Sequence, residues 1–280
     1  MSILEVKGLC KNYPSFSLKE VSFSLKEGMI TGFIGRNGAG KSTSLKSILG
    51  YVHPDDGDIR FFDLPFHGNE NAIKERIGYI SGGFDFYPNK KIKTITAVTK
   101  KFYKNWDDQA YRRCLSVFGL DENKTPAKLS AGMKVKYALT LALSHNAEFL
   151  ILDEPTSGLD PVSRDELLDI FLDLKAKGVT ILFSTHIISD LEQCADHILY
   201  LREGKLCADM AMKDFARSYR LAEMTEAEFE SSDQGKLIGC RKRQGICTAL
   251  IKAADADGIC GNITETDAET VMIYLEREAR

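Results

Sequence analysis

The sequence predicts an α/β fold built on a mostly parallel β-sheet, with a small antiparallel β layer at the N-terminal end. Apolar and polar residues alternate over residues 3–6 and 18–25, which is typical of antiparallel strands with one buried face. Short apolar runs without alternation at residues 29–34, 149–152 and 179–183 indicate strands buried on both faces. We therefore expect the antiparallel layer to come first and these buried strands to form the parallel core.

The remaining pattern predicts a helical insert and a C-terminal extension. About residues 84–146 have helical spacing of apolar residues and few β-branched residues, which predicts a mostly helical insert. Another helix is expected to begin at Asp160-Pro161, because proline is favoured at the first helical position. The periodicity weakens after about residue 209. We expect a main domain over residues 1–210 and a small extension over residues 211–280, to which no role is assigned.

Composition narrows the classes of function. The 280 residues include 37 basic and 40 acidic side chains, and the formal net charge of −3 provides no global field that would recruit nucleic acid. No nucleic-acid partner is expected, and any contact with an anionic membrane surface must be local. Seven cysteines without a Cys-x-x-Cys pair favour a reducing cytoplasm. No apolar run approaches the roughly 18 residues of a membrane span, so we expect a soluble chain.

A glycine-rich loop carries the strongest motif. It matches G-x-x-x-x-G-K-[ST] between a predicted strand and a predicted helix at residues 42–49, with Gly35, Arg36, Asn37, Gly38, Ala39, Gly40, Lys41 and Ser42. The loop amides and the helix N-terminus suit phosphate oxygens, and Lys41 can reach the β- and γ-phosphates. Ser42 is placed to ligate Mg²⁺, and we expect Thr43 to bind the nucleotide as well. The sequence therefore predicts a P-loop NTPase core.

Two carboxylates follow the predicted strand at residues 149–152. The C-terminal edge of a parallel sheet is where α/β proteins bind ligands, so Asp153 can hold magnesium directly or through water. Glu154 is expected on the other side of the pleat, where it could polarise a water molecule aimed at the γ-phosphate. Without the glycine-rich loop, a solvated strand terminus would be the better interpretation of this acidic pair.

With these motifs in place, the sequence resembles the ATP-binding cassette (ABC) family over roughly residues 1–210. Leu129-Ser130-Ala131-Gly132-Met133 is similar to the ABC signature Leu-Ser-Gly-Gly-Gln, and Ser130 is expected to cap a helix that begins near Met133. The resemblance implies that Ser130, Ala131 and Gly132 close over ATP held by the phosphate loop of a second cassette. Residues 1–210 would then form the ABC ATPase domain, with the signature carried by the helical insert.

Three further positions match motifs of the family. Residues 157–160 match the D-loop, a segment that contacts the second cassette, and His186 matches the switch histidine that contacts the γ-phosphate and orients the attacking water. Tyr13 matches the aromatic residue that stacks on adenine, with a packed surface tyrosine as the alternative. The resemblance thus implies catalytic roles for Lys41, Glu154 and His186.

Two positions depart from the family pattern. Gly82 stands where the family usually has a glutamine that touches magnesium and links catalysis to the membrane partner. The resemblance implies altered Mg²⁺ coordination and coupling at this position. In the signature, Ala131 and Met133 replace glycine and glutamine, and the added Cβ near the partner's γ-phosphate is expected to slow turnover.

The function implied by the resemblance is that of a cytoplasmic subunit that binds and hydrolyses ATP to power an ABC transporter, most similar to export subunits of ABC-2-type systems. The implied cofactors are ATP and Mg²⁺. The implied partners are a second cassette, identical or related, and a separate membrane-spanning permease that holds the chain at the inner face of the membrane. Two alternatives stay open: a soluble ABC-type ATPase without a membrane partner, and a low-turnover nucleotide-dependent regulator.

Overall fold

The computed structural model describes residues 2–81 and 87–277, which divide into two compact units, Met1–Asp209 and Met210–Arg280. Gly82 and the beginning of the predicted helical insert lie outside the described residues. No described helix has both the length and the apolar composition that crossing a bilayer requires.

The first unit combines strands and helices. In chain order its elements are β1 (Ser2–Tyr13), β2 (Phe16–Lys26), β3 (Ile30–Ile34), α1 (Lys41–Ile48), β4 (Asp56–Phe61), β5 (Leu64–Pro65), α2 (Glu70–Lys74), β6 (Ile77–Ser81), α3 (Ile92–Thr99), α4 (Asp108–Val117), α5 (Ala131–Ser144), β7 (Phe149–Asp153), α6 (Pro161–Ala176), β8 (Thr180–Thr185), α7 (Ile188–Cys194), β9 (His197–Arg202) and β10 (Lys205–Ala211), whose last residues enter the second unit.

The predicted antiparallel layer is confirmed. It is a sheet in the order β2-β1-β4-β5, in which β1 pairs antiparallel with both β2 and β4. Alternate side chains of β1 and β2 are buried, including Leu4, Val6 and Val21, and they pack in one core with Phe33 of β3 and Leu45 of α1. The alternation arises because successive side chains of a strand point to opposite faces.

The predicted parallel core is also confirmed. The second sheet has the order β10-β9-β3-β8-β7-β6, and the pairs β9–β3, β3–β8, β8–β7 and β7–β6 are parallel. Every residue of β3, β7 and β8 is buried, which explains why their sequences are continuously apolar rather than alternating. Because the strands are parallel, β3, β7 and β8 end at the same edge, where Ile34 pairs with Thr185 and Asp153 pairs with Ser184.

The described part of the helical insert has its own small core. Helices α3, α4 and α5 surround a cluster formed by Ile92, Leu120, Leu129, Tyr137 and Leu141. The buried Tyr137 hydroxyl donates to the carbonyl of Ile92 at 3.0 Å, so its polar atom is satisfied inside the apolar cluster. The predicted helical character of this region is confirmed for the part that the structure describes.

The second unit is a sheet covered by helices. After α8 (Met212–Phe215), its elements are β11 (Tyr219–Thr225), α9 (Glu226–Ser231), β12 (Ile238–Arg243), β13 (Ile246–Lys252), β14 (Asn262–Thr264) and α10 (Ala268–Arg277). The strand order is β12-β13-β11-β14, and its ladders are antiparallel. Phe229 of α9 packs against the cluster that contains Cys247 of β13. Tyr274 of α10 forms a hydrogen bond of 2.6 Å with Thr248, which follows Cys247 in the same strand. The two helices therefore cover opposite faces of the sheet.

We predict that Gly239→Ala lowers the free energy of unfolding of the second unit by about 3 kcal/mol, because Gly239 has φ +61° and an added Cβ would collide with the backbone carbonyl of Tyr274. Gly245→Ala is the matched control, since Gly245 has φ +79° but no atom within 4 Å of the added Cβ, and it should cost about 1 kcal/mol. Chemical denaturation with hydrogen exchange of β12 and β13 measures both. Equal losses would contradict the role of this contact.

Candidate nucleotide-binding site

The phosphate loop connects the end of β3 to the beginning of α1, as the motif predicts. Gly38 and Gly40 have φ values of +87° and +111°, which glycine adopts without the steric cost of a side chain. The helix begins at Lys41, one residue before the expected start. Lys41 is 5% exposed, and its Nζ donates to the carbonyls of Gly35 at 2.6 Å and Arg36 at 3.3 Å. The loop therefore folds around this ammonium group.

Asp153, the last residue of β7, contacts the first turn of α1. It is 7% exposed, and its Oδ1 accepts hydrogen bonds from Ser42 Oγ at 2.9 Å and from Ser184 Oγ at 2.6 Å. Ser184 lies on β8 and was not identified from the sequence. Its hydroxyl also accepts a hydrogen bond from the backbone N–H of Glu154 at 2.9 Å. Ser184 thus fixes both carboxylate-bearing residues against the neighbouring strand.

The expectation that Glu154 continues the pleat is wrong. The strand ends at Asp153, and Glu154 has φ +53°, in the left-handed region, so its side chain does not follow the alternation of the strand. Its Oε1 lies 3.1 Å from Lys41 Nζ, and its Oε2 lies 2.9 Å from His186 Nδ1. Glu154 therefore joins the phosphate loop to the residue that follows β8.

These contacts bring three segments together. Lys41 and Ser42 follow β3, Asp153 and Glu154 come at and after the end of β7, and His186 follows the end of β8. The side chain of His186 is 40% exposed, whereas that of Glu154 is 22% exposed. The buried ammonium group of Lys41 is thereby held against the partly accessible pair of Glu154 and His186. The buried carboxylate of Asp153 is joined to the same edge through the hydroxyls of Ser42 and Ser184. This arrangement can neutralise phosphate charge and accept a proton from water.

A cavity of about 360 Å³ lies beside the loop and is lined by Phe16, Arg36, Asn37, Gly38, Gly40, Lys41, Ser42, Thr43 and Glu154. Phe16, at the beginning of β2, was not identified from the sequence. Its ring would be 2.5 Å from a Cβ at Gly40, so it packs directly on the loop. Tyr13 pairs with Phe16 in register but lies outside this lining, and it is 41% exposed. The adenine-stacking role of Tyr13 stays a prediction.

The signature residues lie at the beginning of α5. Ser130 is the N-cap, and its Oγ accepts a hydrogen bond from Met133 N at 3.2 Å. The helix begins at Ala131, two residues before the expected start. Ser130 and Ala131 are exposed. This exposed helix end leaves its first amides available to an anion from outside the chain.

The D-loop leads into α6 and packs beside the signature. Asp160 caps α6 by accepting hydrogen bonds from the N–H groups of Val162 and Ser163. The hydrogen bond from the Ser163 hydroxyl is the largest cause that lowers the pKa of Asp160. A Cβ at Gly132 would lie 3.5 Å from Ser163 Cβ, so the first turns of α5 and α6 are in contact range.

A buried carboxyl group connects α6 to α7, the helix after His186. Asp190 is 1% exposed, and its Oδ1 lies 3.9 Å from Arg164 Nε of α6. Burial raises the pKa of Asp190, while Thr156 and the charge of Arg164 act in the opposite direction. The pair was not identified from the sequence, because its members lie on separate helices.

Comparison with known proteins identifies the arrangement. Residues 18–157 match the family model described as ABC transporter, and they include the phosphate loop, the signature and both carboxylates. The chain is 35% identical over 241 residues to the bacitracin transport ATP-binding protein BcrA of Bacillus licheniformis, covering 85% of this chain and 78% of that protein. This chain belongs to the ABC transporter family. Like the ATP-binding subunits of the family, it binds and hydrolyses ATP.

Two further similarities agree with the family assignment. The chain is 35% identical to the Nod factor export ATP-binding protein I of Burkholderia orbicola, over 68% of this chain and 64% of that protein. A solved structure described as the ATP binding subunit of an ABC transporter superposes with a TM-score of 0.69 at 31% identity, covering 77% of this chain and 92% of that one. The fold predicted from the motifs is thus confirmed independently of the site geometry.

We predict that Ser184→Ala lowers the free energy of unfolding by about 2 kcal/mol, because it leaves Asp153 and the N–H of Glu154 with one fewer buried partner. It should also reduce ATP hydrolysis, since both carboxylates lose their common support. Ser47→Ala is the matched control: Ser47 is 1% exposed, and its Oγ has no hydrogen-bond partner among the described residues. Urea denaturation and steady-state hydrolysis measure the two effects. A loss as large for Ser47→Ala would refute this assignment.

Proposed function

We propose that this chain powers export through a separate membrane-spanning permease by ATP-driven pairing of two cassettes. The observation that carries the proposal is the convergence of Lys41, Glu154 and His186 at one sheet edge, with contacts of 3.1 Å and 2.9 Å. The names of two relatives, a bacitracin transport protein and a Nod factor export protein, support transport and the outward direction. We place the chain on the cytoplasmic face of the membrane, bound to the permease.

In this mechanism the phosphate loop binds the triphosphate. Lys41 and the amides of residues 35–43 neutralise the negative charge of the β- and γ-phosphates, which grows on the transferred group during hydrolysis. Lys41 is already oriented towards the loop by two backbone carbonyls, so little side-chain entropy remains to be lost when phosphate binds. Phe16 borders the same cavity and supplies an apolar wall for the nucleotide.

Ser42 and Asp153 fit a magnesium ion bound together with ATP. Their oxygen atoms are 2.9 Å apart, and hydroxyl and carboxylate oxygens are the hard ligands that Mg²⁺ prefers. Two protein oxygens suit an ion that completes its shell with phosphate oxygens and water. When bound, the ion would offset phosphate charge, while Ser184 keeps Asp153 in position.

Glu154 and His186 act on the attacking water and the γ-phosphate. An ionised Glu154 can only accept, so His186 Nδ1 donates the 2.9 Å hydrogen bond and its Nε2 stays available for the γ-phosphate or water. Glu154 then serves as the base that receives the proton of the water, and His186 steadies the phosphate. Asp190, on the helix after His186, is buried and lies 3.9 Å from the partly exposed Arg164 of α6.

The second cassette supplies the signature. Ser130, Ala131 and Gly132 form a helix end at which Ser130 and Ala131 are exposed. A head-to-tail pair would bring the signature of one chain over the ATP of the other, whether the partner is identical or related. The helix end adds positive potential there, and the methyl group of Ala131 reduces the space at the same place.

We predict that Glu154→Gln lowers the rate of ATP hydrolysis at least about a hundredfold, because the amide cannot accept the proton of the attacking water. ATP binding should be retained or strengthened, since Lys41 loses a carboxylate that competes with phosphate. Steady-state hydrolysis, nucleotide-binding titration and the molecular mass in Mg-ATP are the measurements, and the variant should accumulate as an ATP-bound dimer.

The matched control is Glu203→Gln, which removes one exposed carboxylate from the β9–β10 turn and should leave hydrolysis and dimerisation unchanged. Undiminished hydrolysis by Glu154→Gln would exclude the proposed base. Tight ATP binding without hydrolysis by the unaltered chain, alone or with its permease, would instead favour the regulator.

A further inference from the structure

The sequence between Tyr87 and Lys104, here called the lysine segment, concentrates positive charge. Its 18 residues include six lysines, at positions 90, 91, 93, 100, 101 and 104, and neither an acidic residue nor an arginine. The whole chain has a formal net charge of −3, which would be −9 without these six lysines. The nearest acidic residues in the sequence are Asp85 and Asp107. An acidic protein thus carries one strongly basic segment, which makes a local electrostatic contact with an anionic partner possible.

The structure presents this charge outward. The segment contains α3 and a 3-10 turn, Lys100–Phe102, that continues it. Ile92, Ile95 and Thr96 are buried and anchor the helix in the insert. Lys93, Lys100 and Lys101 are exposed and are seven and eight positions apart, which places them along the same side of a helix. These three lysines therefore lie along one side of the helix and its continuation.

The same segment also carries large apolar side chains that are exposed to solvent. Phe102 is 74% exposed, Tyr87 is 68% exposed, and Val98 is 54% exposed. Such exposure of a phenylalanine next to lysines is unfavourable in water but is the composition of helices that lie in a membrane interface. The charged ammonium groups then remain at headgroup level while the apolar side chains enter the boundary with the acyl chains.

Few lysines of the segment form ion pairs with other residues of the described chain. Lys100 Nζ lies 3.5 Å from Asp108 Oδ1, and Lys104 Nζ lies 3.4 Å from Glu75 Oε1. Both pairs are exposed, so they are weak and can be exchanged. Among the described residues, Lys90, Lys91, Lys93 and Lys101 form no ion pair. Four exposed ammonium groups thus stay available for a ligand.

We propose that the lysine segment binds the anionic phospholipid headgroups of the membrane surface. Its lysines contact headgroup phosphates, and Phe102 with Val98 enters the headgroup region. The ammonium groups of lysine are mobile point charges, which suit a fluid anionic surface. The planar guanidinium group of arginine is instead the usual choice for a fixed anion that is bound through two hydrogen bonds. This contact goes beyond the proposed function, which needs only the permease to hold the chain at the membrane.

The test is binding of the purified full chain to vesicles of phosphatidylcholine with and without phosphatidylglycerol, at low and high salt. The unaltered chain should sediment with the phosphatidylglycerol vesicles at low salt and should be released by high salt. It should not bind vesicles of phosphatidylcholine alone. A variant with Lys90, Lys91, Lys93 and Lys101 all changed to Gln should bind these vesicles roughly a hundredfold more weakly, given a severalfold loss per lysine. Phe102→Ser should weaken binding while keeping most of the salt dependence.

The matched control changes Lys19, Lys26, Lys177 and Lys205 to Gln, which removes the same net charge from exposed positions outside the segment. It should bind vesicles as the unaltered chain does, and equal thermal midpoints of the two variants would show that both are folded.

The proposal is overturned if the unaltered chain does not bind anionic vesicles, which would direct attention to an acidic protein partner. It is also overturned if both lysine variants lose binding equally. Neither outcome depends on ATP hydrolysis, so failure here is distinct from failure of the proposed function.

Discussion

The parallel register of β3, β7 and β8 is the constraint on which the rest of the site depends. The strands end at one edge, with Ile34 opposite Thr185 and Asp153 opposite Ser184. A shift of one residue would reverse the faces of a strand and would move Asp153 away from both serine hydroxyls. Because all three strands are buried on both faces, any shift would also disturb a densely packed core. The apolar strands thus fix the polar residues that follow them.

The site concentrates charge in places where charge is costly. Lys41 is 5% exposed and Asp153 is 7% exposed, and each would carry a large desolvation penalty alone. The structure offsets this penalty locally, since Lys41 meets two carbonyls and Glu154, while Asp153 meets two hydroxyls. Buried pairs of this kind add little to stability compared with apolar packing. In the mechanism that we propose, their value is that the groups are already oriented where phosphate charge is to be balanced.

The features that the sequence predicts are those determined locally. The phosphate loop, the cap at Ser130 and the apolar strands depend on residues that are close in the chain, so their patterns are readable. Phe16 and Ser184 acquire roles only through packing and pairing between distant segments, which no local pattern encodes. The left-handed conformation of Glu154 likewise departs from its strand pattern. In the second unit the short strand β11 mixes partly buried and exposed positions, so its periodicity is weak.

The partners of Lys41 indicate how binding and catalysis are linked. An ammonium group has three N–H donors, and Lys41 has three acceptors, the carbonyls of Gly35 and Arg36 and the carboxylate of Glu154. A phosphate oxygen that binds Lys41 has to replace one of them. The two carbonyls belong to the loop backbone, whereas the Glu154 side chain is partly exposed and can rotate. In the mechanism that we propose, phosphate displaces Glu154. The same exchange that neutralises the phosphate then frees the carboxylate, which lies 2.9 Å from His186 Nδ1, to accept a proton from water.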